Sequence, residues 1–341
     1  MINSLDFFQR RYVLGVEEHS SQGIKDELFD LNVSEGPEIR SKPYRLGYVL
    51  EYLLHQEVDK YLRSGRWRRG SPRWTSPVFL HLVPKQREIP KEYLKSNLKW
   101  LDPSQFQGKK TLEDIAEMIR AFYSVRLVND YRRVNDRTLL DVFPMADVQE
   151  FRKFCRGKAR FSIIDLKSCF YQILLSSRAK DFLGVVTPDG TYFSEFLGFG
   201  PKNAPAASSR MLNKLLAGLE NHCMGRIDDI LIATETDEEH LEILNELFQR
   251  MKNLGIMINA EKTQLFQEQV TFMGYQVDSQ GIAVKDFTIE KLKNAEIPKS
   301  LKELRSFNGL AEWVRPFAKS DIFAENMAIL SGALSSQSSL N

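Results

Sequence analysis

The feature that most limits what this chain can become is a pair of adjacent aspartates inside an apolar stretch. Residues 222–233 read HCMGRIDDILIA, with Asp228 and Asp229 flanked on both sides by residues suited to short buried strands. About sixty residues upstream, FSIIDLKSCFYQI ends another such strand on Asp165. Carboxylates crowded at a strand–turn–strand tip repel one another, so a fold keeps them there only with compensation. A hard divalent cation is the usual compensation, because oxygen ligands suit Mg²⁺ or Mn²⁺. The residues alone leave two readings. Either Asp165, Asp228 and Asp229 are the metal site of a phosphoryl transferase, or the Asp pair is an ordinary polar hairpin turn.

Motifs on both sides of the pair resemble those of gypsy-type LTR-retrotransposon and retroviral reverse transcriptases. RLVNDYRRVNDR (126–137) is similar to the fingers motif of that family, and DLKSCFYQI (165–173) to its first palm motif. FLGFGPKNAPAASSRMLN (196–213) resembles the motif that follows, and RIDDILIAT stands where the family has its YxDD hairpin. GIMINAEKTQLF (255–266), VTFMGYQVD (270–278) and IPKSLKELRSFNGLAEWVRPF (297–317) resemble the next two motifs and the start of the thumb. PEIRSKPYRL (37–46) and TSPVFLHLVPK (75–85) are similar to the family's opening segment.

The resemblance implies roles residue by residue. Asp165 and Asp228 would bridge two metal ions, Mg²⁺ or Mn²⁺, with the Leu166 carbonyl completing one shell and Asp229, pointing the other way on the hairpin, as an auxiliary carboxylate. Arg126 falls at a triphosphate-binding position, where a planar bidentate cation suits phosphate; the alternative is a structural pair with Asp130. Phe170 falls at the steric gate that would exclude a 2′-hydroxyl, or is a plain core phenylalanine. Lys262 matches a lysine that protonates pyrophosphate, Phe199 and Gly200 a nucleotide contact, and Met273 and Gly274 a primer grip. Lys85 is a further candidate for phosphate.

Departures from the pattern matter as well. Arg226 replaces the tyrosine of YxDD, Cys169 stands where Gly or Ala is usual, and Pro201 replaces a bulky residue. Counting alternation along the strand puts Arg226 on the face of Asp228, near metals and primer phosphates. The stretch 86–122 is roughly thirty residues longer than a short hairpin needs, which implies a folded insertion with a helix near 111–123.

Net charge is only +2 over 341 residues, so charge as a whole does not identify a partner. Its distribution is more informative: residues 60–110 carry roughly ten more basic than acidic side chains, among them Arg66, Arg68 and Arg69, with Tyr61, Trp67, Trp74 and Trp100 interleaved. Such a mix suits backbone electrostatics with aromatic stacking platforms for template bases, or else a solvated basic face. Cys155, Cys169 and Cys223 lack metal-knuckle or disulfide spacing, which points to a reducing, intracellular compartment. No apolar run is long enough for a membrane span.

The expected fold class is α+β, and the resemblance sharpens it to a right-handed polymerase with an antiparallel palm sheet on helices. The expected division is a polar N-terminal extension (1–36), fingers and the start of the palm (37–145), palm (146–278), thumb (279–334) and a short tail (335–341). No RNase H domain is expected in the residues that follow the thumb segment. The expected function is RNA- or DNA-templated DNA synthesis from dNTPs onto a primer 3′-hydroxyl, free-standing or as part of a larger retroelement polyprotein. The alternative is a degenerate or domesticated palm that binds nucleic acid or a protein without catalysis.

Overall fold

The computed structural model describes residues 23–25, 27–85, 89, 111–143, 148–318 and 321–338. At its centre is a four-stranded antiparallel sheet in the order Gln264–Gln267, Arg160–Asp165, Asp229–Thr234, Cys223–Arg226. Side chains alternate along these strands, so each strand feeds two layers. Ile164, Ile230 and Ile232 face the helices Ala204–Leu216 and Asp237–Leu254. Phe161, Ile163, Leu231 and Ala233 face the helix Val148–Cys155 and a three-stranded sheet built from Val270–Phe272, Tyr275–Asp278 and Gly281–Val284. A sheet covered on both faces needs apolar residues at every position, which is why FSII and ILIA read as continuous apolar runs.

Two helices carry clear end signals in the sequence. Asp237–Leu254 starts on Thr236, whose hydroxyl accepts from the Glu239 amide at 3.2 Å, and it stops at Gly255 in the left-handed region at φ 75°. Its first turn carries Asp237, Glu238 and Glu239, the sign that suits a helix N-terminus. Thr111 and Asp114 form the full capping box of Leu112–Phe122. That helix packs through Ile115 and Ile119 onto Val49 and Leu53 of the helix Tyr48–Arg63. Ile89 packs against the same cluster; the rest of the expected insertion, Trp100 included, lies outside the described residues.

A five-stranded sheet, in the order Trp67–Arg69, Gly190–Ser194, Val185–Thr187, Ser76–Pro84, Tyr123–Asn129, carries the motif that begins at Arg126. Three further helices, Asp286–Lys293, Leu301–Val314 and Asp321–Ser338, lie at the C-terminal side. The last one continues through Ser338, so the stretch expected as a tail from 335 begins inside a helix. Trp313 stacks on Tyr275 with ring centroids 4.8 Å apart, linking these helices to the three-stranded sheet. A Cβ at Gly274 would lie 2.7 Å from the Trp313 ring, and φ there is 78°; only glycine fits.

One expectation is corrected at the N-terminal side. The stretch 1–36 reads as a polar extension, and residues 1–22 and 26 lie outside the described residues. Ile24, Phe29 and Leu31, however, are buried in the central core, and Leu28–Phe29 pairs in parallel with Leu174–Leu175. Three apolar residues spaced through a polar segment are enough to dock it, although mean polarity hides them. Among the described residues, no helix is long and apolar enough to cross a membrane.

Candidate active site

Asp165 and Asp229 are direct partners across two adjacent antiparallel strands, and Asp229 pairs in turn with Arg226 on the next strand. The three side chains therefore form one row on the face that carries Ile163, Leu231 and Met224. Two sequence-based expectations fail here for the same reason. Asp229 does not point away from Asp165, and Arg226 shares its face with Asp229 rather than with Asp228. The hairpin reverses over a two-residue loop, Ile227–Asp228, so alternation cannot be counted straight through the turn. Ile227 adopts φ 56°, a costly conformation for a β-branched residue, on the order of 1–3 kcal/mol.

The surroundings hold that strained tip. The Ile227 carbonyl accepts from the Ser208 hydroxyl and from the Cys169 thiol, the latter at 3.3 Å. The Leu166 amide donates to the Asp228 carbonyl at 2.7 Å, tying the tip to the end of the Asp165 strand. Neither Cys169 nor Ser208 is prominent in the sequence; the unusual cysteine was visible, but its partner lies 39 residues away.

Like charge dominates the electrostatics. Asp228 is exposed at the tip, yet loss of water around its carboxyl, aided by Asp165, raises its pKa. Desolvation, then Asp228, then Asp165, push Asp229 up to about 6. The buried Cys169 thiol is raised to about 12, chiefly by burial and further by the same three carboxylates. The positive charge facing them is Lys262, whose Nζ lies 3.3 Å from Asp165 Oδ2 with the lysine largely exposed. Among the described residues, no three His, Cys, Asp or Glu side chains converge into a ready-made metal cage. Hard oxygen donors with an excess of negative charge nevertheless fit Mg²⁺ or Mn²⁺ once phosphate or water oxygens complete the shell.

Phe170 sits in a short 3₁₀ turn, Cys169–Gln172, half-buried against the central core. Its ring meets the exposed Phe199 edge-on at 5.6 Å. Gly200 has φ 113°, and a Cβ there would lie 3.1 Å from the Asn129 carbonyl. Arg126 is exposed on Tyr123–Asn129 and forms no ion pair among the described residues. The suggested pair with Asp130 does not form, because Asp130 is held by Arg132 and by the Tyr44 hydroxyl, which keep its carboxyl far below the usual range. Lys85 is not free either: its Nζ donates to the Arg120 carbonyl at 2.5 Å, at the C-terminal end of Leu112–Phe122.

The basic strip differs from its sequence-based picture. Trp67 and Trp74 are each only 2% exposed and pack in the interior, so they are not stacking platforms for bases. Tyr61 packs on Trp67 and Tyr171. Arginine uses these rings instead: Arg66 lies over Tyr61 and Tyr171, Arg69 over Tyr192, and Arg68 over Phe193 with Glu195 at 3.0 Å. Interleaved aromatics here anchor the strand, while the guanidinium groups of Arg68 and Arg69 stay at the surface.

Met273 and Gly274 form a second two-residue hairpin loop, both with positive φ (52° and 78°). Arg226 joins the two strained tips: its Nη1 lies 3.8 Å from Met273 Sδ, and it forms no ion pair among the described residues.

Comparison with known proteins places this geometry. Residues 109–277 match the family described as reverse transcriptase (RNA-dependent DNA polymerase). The retrovirus-related Pol polyprotein from transposon 297 of Drosophila melanogaster is 26% identical over 288 residues, covering 84% of this chain and 24% of the polyprotein. The transposon Tf2-3 polyprotein of Schizosaccharomyces pombe is 29% identical over 195 residues, 57% of this chain and 15% of its own length. The chain thus spans a quarter or less of these relatives. Foamy viral protease-reverse transcriptase dRH, solved in complex with ds DNA, superposes with a TM-score of 0.70 at 21% identity, covering 94% of this chain and 49% of that one. The same viral protein with an RNA/DNA hybrid gives 0.68 at 19% identity, covering 98% and 43%.

Proposed function

Since the chain belongs to the reverse transcriptase family, we propose that it synthesises DNA on an RNA or DNA template, extending a primer 3′-hydroxyl with dNTPs. The observation that carries this reading is the direct cross-strand pairing of Asp165 with Asp229, with Asp228 at the adjoining tip. Like charges placed opposite each other in a sheet are destabilising, and nothing in the core requires them. The site's need for external positive charge supports a role for divalent cations.

Asp165, Asp228 and the Leu166 carbonyl would hold two Mg²⁺ or Mn²⁺ ions, with Asp229 as the auxiliary carboxylate. When bound, the ions supply acidification of the 3′-hydroxyl and neutralisation of the triphosphate. The rest falls to the chain's own groups, which act by placement. Arg126, exposed and without an ion pair among the described residues, is suited to grip phosphate as a fork. Lys262, beside Asp165, is placed to give a proton to departing pyrophosphate. Phe170 forms a flat floor braced by Phe199, on which a 2′-hydroxyl would clash. Gly200 lets backbone approach the nucleotide without a Cβ. Met273, Gly274 and Arg226 would hold the primer end, and Arg66, Arg68 and Arg69 the template backbone.

A non-catalytic palm is the competing reading, and Arg226 at the hairpin favours it. Retention of all three aspartates on a strained, clamped tip weighs against it. Primer extension on RNA and DNA templates decides between them, with Asp228→Asn as control. Metal-dependent extension by the wild type that is lost in Asp228→Asn supports the polymerase. Nucleic-acid binding without extension on either template supports the palm that only binds.

A further inference from the structure

Between the paired residues Leu166 and Leu174 the chain makes a loop with no ladder partner, passing through left-handed Ser168 (φ 49°) and one 3₁₀ turn. This loop carries Phe170, and a buried amide within it reaches across to the facing segment. Gln172, 3% exposed, donates from Nε2 to the Lys167 carbonyl at 2.8 Å and to the Met257 carbonyl at 2.9 Å. Its Oε1 accepts from the Met257 amide at 2.7 Å. Both amide hydrogens and an acceptor lone pair are thus used, and no water is needed to complete the set.

The two segments joined in this way both lead to the carboxylates. On one side, Lys167 lies two residues after Asp165. On the other, Met257 leads into Asn259, whose amide donates to the Asp165 carbonyl at 2.7 Å, and then to Lys262, which touches the Asp165 carboxylate. The Gln172 carbonyl also accepts from the Ile24 amide at 2.8 Å, so the docked N-terminal segment closes over the same point. The two segments are also joined directly, the Lys167 amide donating to the Met257 carbonyl at 3.1 Å beside the Leu166–Ile258 bridge. Since backbone groups in such a dry interior are costly to leave unpaired, the Gln172 amide ties the Phe170 loop to that junction in one placement.

We propose that Gln172 is a positioning residue for sugar selection: by stapling the Phe170 loop to the segment leading to Lys262, it fixes the height of the Phe170 ring relative to Asp165. The proposal rests on the polymerase reading and on Phe170 as the sugar floor. Gln172 touches no reacting group and acts through Phe170.

Two substitutions separate positioning from simple structural support. Gln172→Met keeps volume and loses all three hydrogen bonds; Gln172→Glu keeps shape but sets a carboxylate oxygen against two carbonyls. The measurement is the ratio of kcat/KM for deoxyribonucleotide over ribonucleotide incorporation, with Phe170→Val alongside. Both Gln172 variants should lower that ratio roughly tenfold, because small misplacements of a positioning surface act steeply. Combined with Phe170→Val, Gln172→Met should lower it no further, since both act through one ring. Equal slowing with both sugars, the ratio unchanged, overturns the proposal when Phe170→Val does shift the ratio. If Phe170→Val leaves it unchanged too, the floor reading itself falls and takes the proposal with it. Hydrogen exchange on the wild-type protein tests the staple without any variant or activity. The amides of Met257, Tyr171 and Ile173 should open together with one free energy, and separate openings overturn the coupling.

Discussion

The two ends of one strand pair solve opposite problems. Arg160–Asp165 and Asp229–Thr234 run antiparallel in unbroken register from Arg160↔Thr234 to Asp165↔Asp229. At the first end Ser162, Thr234 and His240 satisfy one another. His240 is fully buried, with Nε2 2.6 Å from Ser162 Oγ and Nδ1 2.8 Å from Thr234 Oγ1. Since Ser162 Oγ accepts from the Phe266 amide, its own proton goes to His240 Nε2, and the ring donates from Nδ1 to Thr234. Arg160 is paired with Asp237 and Glu268. At the other end three carboxylates face the exposed Lys262, with Arg226 in the same row but forming no ion pair among the described residues, around a turn with a strained isoleucine. The satisfied end can offset the cost of the unsatisfied one because both belong to the same two strands. Uncompensated charge at a rigid sheet end is what a cation-dependent site needs.

The comparison breaks most sharply if the carboxylate end proves structural. Asp165→Asn and Asp228→Asn should each lower primer extension roughly a thousandfold, the scale of losing a principal electrostatic group. Melting should stay level or rise, since like-charge repulsion is removed. A variant that unfolds, or one that retains activity, would contradict the contrast between the ends.

The mirror experiment acts on His240. His240→Ala removes a buried ring and leaves the Ser162 and Thr234 hydroxyls without their partner, a loss of roughly 3 kcal/mol. Urea unfolding should show a lower midpoint at unchanged m-value. Activity measured well below that midpoint should change little.

Acid sharpens the contrast, because the ends titrate in opposite senses. Burial holds His240 down to about 4, so the stability from its neutral form is present above pH 6.5 and is lost as pH falls towards 4. Asp229, raised to about 6, penalises the folded state when charged, so this penalty is present above pH 6 and relieved as pH falls towards 4. The first effect is up to about 3 kcal/mol, the second about 1–2 after discounting for solvent screening. The wild type should therefore lose stability only gently between pH 6.5 and 4. Asp229→Asn should lose it more steeply over that window, and equal slopes in thermal melts would show that the ends are not opposed.

The smallest expected effect concerns Arg226. Since its guanidinium leans towards Met273 and forms no ion pair among the described residues, Arg226→Tyr should weaken primer–template binding only about two- to fivefold, the value of an exposed charge contact. The rate per bound complex should hold or rise. If tyrosine instead creates activity in a protein that otherwise has none, the site is degenerate and the palm that only binds is the correct reading.

Much of this was legible before folding. The apolar runs around Asp165 and the Asp pair marked strands, and the stretch 111–123 marked a helix, because these signals act within a few residues. Arg126, Phe170 and Lys262 were singled out by motif spacing; only space shows that Asp130 has partners other than Arg126, and that Phe170 packs both on the core and against Phe199. What went wrong involved exposure or turns. Trp67 and Trp74 look the same in sequence whether buried or stacked against a base. Gln172 and Ser208 were missed, and Cys169 was noted without its role, because their partners lie 85, 19 and 58 residues away respectively.

The sequence by itself determined which segments become strands and helices, which family the motifs resemble, and which residues carry the candidate chemistry, because local propensity, capping and charge are written residue by residue. The tertiary structure alone decided which carboxylates stand opposite each other, that Arg226 belongs to the row of Asp229, and that Trp67 and Trp74 of the basic strip are kept inside. Those outcomes depend on sheet register, on a two-residue turn that resets side-chain alternation, and on competition among distant segments for the same buried volume. No local pattern encodes them, because each is fixed only when strands far apart in the chain come into pairing distance.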